Sequence, residues 1–176
     1  MSGEPMAPLA RTGAVLGVDL GDRRIGVAFG DYETRSAVPL TTLGRGRRPE
    51  DDARVLARLA EERDARALIV GLPLNMDGSE GPQAARTREW AGIVAAVTGL
   101  PVRFRDERLS SVRAEQRVGG QSRGRSGGPP TAARRDAHRG RIDKEAAAVI
   151  LQDELDAADE PVRDSQAGGR TPNRGG

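Results

Sequence analysis

The chain has 176 residues, a hydrophobic fraction of 36% and a formal net charge of +2. That length implies one domain with loose ends, and the low apolar fraction places part of the chain outside the core. Cysteine is absent, which excludes disulfides, thiolate zinc sites and cysteine nucleophiles together and fits a reducing, cytoplasmic compartment; no apolar run suits a signal peptide or a membrane span.

Residues 1–12 read as a disordered extension. A strand is predicted from Ala14 to Asp19 in AVLGVD, and a second in RRIGVAFG, where Ile25, Val27 and Phe29 alternate with small residues. A third runs from about Ala37 to Leu43, and its Pro39 predicts an edge position or an irregularity. GRGRRPEDD connects to a helix with the apolar stripe Val55, Leu56, Leu59 and Ala60. ALIVGLP is the continuous apolar run of a buried parallel strand. A loop from Asn75 to Gly81 leads to Pro82, which opens a helix whose inward face is Trp90, Val94 and Val97. VRFRDE is the last strand, followed by a short helix through Arg117. Residues 119–140 are rich in Gly, Ser, Pro and Arg without an apolar period, and read as a flexible loop. A final helix is predicted from Ile142 to Ala157, and residues 159–176 as a disordered tail. The strand and helix order βββαβαβα, with the domain at 13–158, implies an α/β fold with a mixed sheet and helices on its faces.

The residue inventory narrows the chemistry. His138 is the sole histidine and falls in the segment read as a flexible loop, which argues against a histidine triad and excludes a multi-histidine metal site. Lys144 is the sole lysine and follows no glycine-rich loop, so there is no Walker A motif, and no G-x-G-x-x-G follows the first strand. Carboxylates remain, and hard oxygen ligands suit Mg²⁺ or Mn²⁺.

Three acidic positions stand out. Asp19 ends an apolar strand, where ligands gather at a sheet edge; its alternative is a turn aspartate before Gly21. Asp106 and Glu107 end the last strand, with Phe104 and Asp106 on one face and Arg105 and Glu107 on the other. Which of the two acids serves a site stays open, since Asp106 also suits a helix cap. Asp143 shares the inward stripe of the last helix with Ala146, Ala147 and Ile150, small residues that allow close packing; its alternative is a first-turn acid complementing the helix dipole. Two strand-end acids and one helix acid converging at a sheet edge would hold two divalent ions about 4 Å apart, one activating a water and one stabilising the leaving oxygen.

With these segments in view, LGVDLGDRRIGVAFGD, IVGLPLNMDGSEGPQA, FRDERLSS and RIDKEAAAVIL resemble, in order, the blocks of the YqgF family, from about Leu16 to Leu155. The resemblance implies a ribonuclease-H-like fold, here a mixed five-stranded sheet flanked by helices. It also implies a metal-dependent nuclease of Holliday-junction-resolvase type, linked to 5′-end maturation of pre-16S ribosomal RNA. The family's acidic residues map onto Asp19, Glu107 and Asp143 as catalytic and metal-ligating groups for Mg²⁺ or Mn²⁺, and its loop motif onto Asn75, Asp77 and Gly78. The implied partners are nucleic acid (pre-rRNA, then structured DNA) and ribosomal precursor particles, with no membrane, for a monomer or homodimer. Segment 119–140 departs from the family in length and arginine content.

Around this set, backbone N–H groups at the start of the helix after GLPLNMDG suit a phosphate. Arg105 and Arg108 flank Glu107 and, with Arg23 in the first turn, are candidate substrate-binding residues; a solvated surface arginine is the plain alternative for each. The chain has only four aromatic residues, so backbone and shape recognition is expected over base stacking. Three rivals remain. A junction resolvase would use the same site and need a symmetric dimer. A noncatalytic RNA-binding module would need the arginine loop and not the acids. An actin-like kinase domain would need a second domain.

Overall fold

In the computed structural model, residues 10–120 and 128–158 are described below. The strands are β1 (Ala14–Leu20), β2 (Arg24–Asp31), β3 (Ser36–Gly44), β4 (Leu68–Leu72) and β5 (Val102–Asp106). The helices are α1 (Pro49–Glu62), α2 (Pro82–Thr98), α3 (Ser110–Val118) and α4 (Ala132–Ala157). The sheet runs β3-β2-β1-β4-β5. β1, β2 and β3 are joined antiparallel as a meander, whereas β4 pairs parallel to β1 and β5 parallel to β4. This is the mixed five-stranded sheet with helices that was anticipated above. β3 is an edge strand, and its register shifts where Pro39 faces Ala28, as a residue without an N–H requires.

Alternation along the strands separates two cores. Leu16, Val18, Ile25, Val27, Leu68 and Val70 pack with Leu56, Trp90 and Val94 of α1 and α2. Val15, Ala28 and Ile69 turn the other way, onto Ala147, Ile150, Leu151 and Leu155 of α4. The α1–α2 layer carries one buried carboxylate, Asp52. It accepts hydrogen bonds from Trp90 Nε1 (3.0 Å), Arg45 Nε (2.9 Å) and the Gly46 N–H (2.7 Å), so a charge inside the core is fully partnered.

Helix α4 lies close to the sheet because the strands beneath it are notched with glycine. A Cβ on Gly17 would sit 2.7 Å from Leu151 Cβ, and one on Gly26 only 1.9 Å from the Asp143 carbonyl oxygen. The buried alanines 146, 147 and 148 supply the matching small surface on the helix.

Three expectations need correction. The final helix starts at Ala132, not at Ile142, so much of the segment read as a flexible loop is helical; residues 121–127 lie outside the described part. The Thr131 side chain caps it by accepting from the Arg134 N–H at 3.3 Å. Asp143 and Lys144 are consequently in mid-helix, which removes the first-turn reading of Asp143. Val97 is 43% exposed: it sits in the last turn of α2, beyond Val94, the last buried position. Arg11, assigned to a disordered extension, is anchored on α4, donating to the Ala157 carbonyl at 3.2 Å and pairing with Glu154 at 3.3 Å. The remainder of that extension and the tail beyond 158 are outside the described residues.

Candidate nuclease site

Strand parity decides which acids meet. Val15, Gly17 and Asp19 share a face of β1, and that face is covered by α4. On β5, Arg103 and Arg105 point to α4, and the same parity carries Glu107 there one step past the strand end. Asp19 and Glu107 meet in a side-chain hydrogen bond. Gly71 leaves room for it: a Cβ there would lie 2.3 Å from Glu107 Oε2. Asp106 points the other way. It is exposed and held by Arg108, which donates from Nε at 2.8 Å.

Two carboxyls that share a buried site cannot both ionise freely. Burial, the charge of Asp19, the hydrogen bond between them and the charge of Asp106 push Glu107 up to about 8. Burial and the charge of Asp143 push Asp19 up to about 6, against the lowering effect of its hydrogen bond with Glu107. The pair therefore retains a proton near neutral pH. Glu107 Oε2 is buried with no hydrogen-bond partner, an acceptor that the protein itself leaves unsatisfied.

Asp143 stands above this pair on α4, near enough for its charge to act on Asp19. Its side chain is engaged elsewhere: Arg24 Nε donates to Asp143 Oδ2 at 2.7 Å, and Arg24 Nη1 to Asp136 Oδ1 at 2.7 Å. Among the described residues, no three acidic or histidine side chains already close around one ion position. The donor set nevertheless fits a hard divalent cation. Asp19 and Glu107 offer adjacent carboxylate oxygens, one of them an orphaned acceptor, and Asp143 is a third acid at the same edge.

The other anticipated residues divide. Arg108 lies beside the acidic strand end and donates from Nη1 to the Met76 carbonyl at 3.1 Å, which ties the 74–80 loop to β5. In that loop Asn75 donates from Nδ2 to Ser79 Oγ at 2.8 Å, and Asp77 Oδ1 accepts from the Ser79 N–H and Oγ at 2.9 and 2.6 Å. Gly78 has φ +87°, a left-handed turn that glycine adopts without strain. Asn75, Asp77 and Gly78 thus build the loop itself. Arg105 does not neutralise the acidic pair: its Nε pairs with Glu154 at 2.8 Å, and its Nη2 donates to the Asp153 carbonyl at 2.9 Å. Arg23 is exposed and has no side-chain partner among the described residues, although it lines a surface groove with Arg24, Thr42, Asp136 and Gly140.

Two residues stood outside the anticipated site. Arg24 reads in the sequence, with Arg23, as part of the turn near the sheet edge and was not among the candidate site residues, yet it opens β2 and is the one that reaches α4. Glu154 is 1% exposed and gathers Arg11, Arg103, Arg105 and the Tyr32 hydroxyl, which donates at 2.8 Å. An acid at i+4 from Ile150 on the inward stripe was its only sequence signal.

Comparison with known proteins places these residues in a wider setting. A family model described as RuvX, Holliday junction resolvase, matches residues 13–157. A protein of Chloroflexus aggregans named "Putative pre-16S rRNA nuclease" is 46% identical over 147 residues, covering 84% of this chain and 96% of that one. One of the same name from Anaeromyxobacter sp. (strain K) is 47% identical over 141 residues, covering 80% and 95%. Among solved structures, RuvC of T. thermophilus in complex with Holliday junction substrate aligns at 14% identity with a TM-score of 0.47, covering 82% of this chain and 94% of that one.

Proposed function

The chain belongs to the RuvX family, also called YqgF, and from that premise we propose that it is a metal-dependent nuclease cutting phosphodiester bonds in the 5′ leader of pre-16S ribosomal RNA. The observation that carries this reading is the hydrogen-bonded Asp19–Glu107 pair under Asp143, three acids from distant parts of the chain at one sheet edge. Asp19, Glu107 and Asp143 would hold Mg²⁺ or Mn²⁺, which when bound supplies a water of lowered pKa and charge stabilisation for the leaving oxygen. The chain's own groups do the rest. Asp19 and Glu107 would act as ligands in their carboxylate forms, their shared proton passing to solvent. Gly26 and Gly71 keep α4 and Glu107 close to the sheet, so the acids are held on rigid elements rather than loops.

Substrate contacts are proposed for Arg108, Arg23 and the 74–80 loop, which borders the acidic strand end and leads into the N-terminus of α2, where Gly81 is the cap. Arg134, Arg139 and Arg141 project from the exposed first turns of α4 and suit a phosphate backbone. Arg105 is withdrawn from this set by its contacts with Glu154 and Asp153.

A second reading, cleavage of four-way DNA, is favoured by the family's description as Holliday junction resolvase. One assay separates the two. Wild type and Asp19→Asn are incubated with a pre-16S leader transcript and with a four-way DNA junction, with and without Mg²⁺ or Mn²⁺. The expected outcome is metal-dependent cutting of the RNA, reduced at least about a hundredfold in the variant. Equal cutting by both proteins rejects the site, and cutting of the junction alone replaces the first reading with the second.

A further inference from the structure

We propose that Arg24 is a gate on the acidic site: its guanidinium holds the Asp143 carboxylate aside, and a divalent ion recruiting all three acids must take Asp143 from it. The proposal rests on the metal-site reading above and adds to it a residue which that reading does not use.

The geometry is specific. Arg24 opens β2 and bridges two acids of α4, Asp143 through Nε and Asp136 through Nη1, each at 2.7 Å. Asp136 and Asp143 are seven residues apart, two turns of helix, so they present one face to β2. The Arg24 and Asp143 side chains are 23% and 27% exposed, whereas Asp136 is 73% exposed. The contact with Asp143 is the sheltered and stronger tether, and that with Asp136 the solvated one.

Movement of the backbone cannot deliver Asp143 to the pair. Its carbonyl oxygen already lies where a Cβ on Gly26 would sit, and Thr42 Oγ1 donates to the Gly140 carbonyl at 2.5 Å one turn earlier. The helix is pinned on both sides of the contact. Only rotation of the Asp143 side chain remains, and that rotation breaks the bond to Arg24. Arg24 would then keep Asp136 as an anchor and turn free donors into the groove that it shares with Arg23 and Thr42. A planar fork of donors there is matched to a phosphodiester oxygen pair. One side chain would thus oppose ion binding in the free protein and assist it once nucleic acid supplies a replacement anion.

The test measures Mn²⁺ binding to the full chain by electron paramagnetic resonance and calorimetry at pH 8, for wild type, Arg24→Ala, Arg24→Lys and Asp19→Asn. Removal of the competing cation is expected to tighten Mn²⁺ binding in Arg24→Ala about fivefold, the equivalent of roughly 1 kcal/mol. Arg24→Lys keeps a charge but cannot bridge both acids, and is expected to gain about twofold; it carries the test if the alanine variant fails to fold. Unchanged or weaker Mn²⁺ binding in the folded Arg24 variants overturns the gate while leaving the site intact, provided that Asp19→Asn binds worse than wild type. Equal binding by wild type and Asp19→Asn removes the acidic site, and the gate with it.

Discussion

The proton shared by Asp19 and Glu107 gives the candidate site a measurable signature. Glu107 ordinarily ionises near 4.5 and is pushed up to about 8 in the folded chain. Between those values the folded state binds more protons than the unfolded state, so stability is greatest on the acidic side and declines as pH rises toward 8. Glu107→Gln cannot ionise and escapes that decline. In metal-free buffer its unfolding free energy is expected to exceed that of wild type at pH 8.5, by about 1 kcal/mol or more, and the gap is expected to narrow steadily as pH falls toward 4.5, where the unfolded carboxyl is protonated as well. A difference independent of pH would show that the two carboxyls do not share a buried site. Residues alone marked Asp19 after an apolar strand and put Asp106 and Glu107 on opposite faces of VRFRDE, but left open which of those two serves the site; the choice of Glu107 came from the family resemblance. The partners of Arg105 were not legible, because alternation fixes the face of a strand but not which helix residue it meets. Glu154 lies eleven residues beyond Asp143, about 16 Å along α4, and it is Glu154 that Arg105 reaches.

Helix α4 is the element on which the site depends, and glycines under it set its height. Gly26→Ala would place a methyl at 1.9 Å from the Asp143 carbonyl oxygen, a backbone atom that cannot swing away. The variant is expected to lose about 1–3 kcal/mol in chemical denaturation and to lose RNA cutting beyond what its remaining folded fraction explains. A stable and fully active alanine variant would mean that the position of α4 does not matter. The sequence located the inward stripe Ala146, Ala147 and Ile150 correctly, because it is apolar and periodic. It missed the two turns before Gly140 because their neighbours are polar on every side. Asp136 faces Arg24, and Arg135, His138 and Arg139 line a groove with Glu115 of α3. A helix held by ion pairs, a cap and the Thr42–Gly140 bond has no hydrophobic period to detect.

At the scale of the whole molecule, the chain solves a problem of distance. Acids separated in sequence, Asp19 at the end of β1, Glu107 after β5 and Asp143 on α4, come to one sheet edge because β5 is added parallel beyond β4 and α4 crosses back over the sheet. The order of strands and helices was legible from periodicity. The family resemblance added that the sheet is mixed and five-stranded; the spatial order β3-β2-β1-β4-β5 was not legible, since a pattern of buried strands does not say which becomes the centre. Crystals of the full chain grown with Mn²⁺ above pH 8 would test the account most directly, through an anomalous difference map. The expected result is a peak bounded by Asp19, Glu107 and an Asp143 turned away from Arg24. Ordered acidic side chains with no peak between them, or Mn²⁺ bound only at unrelated surface carboxylates, would contradict it.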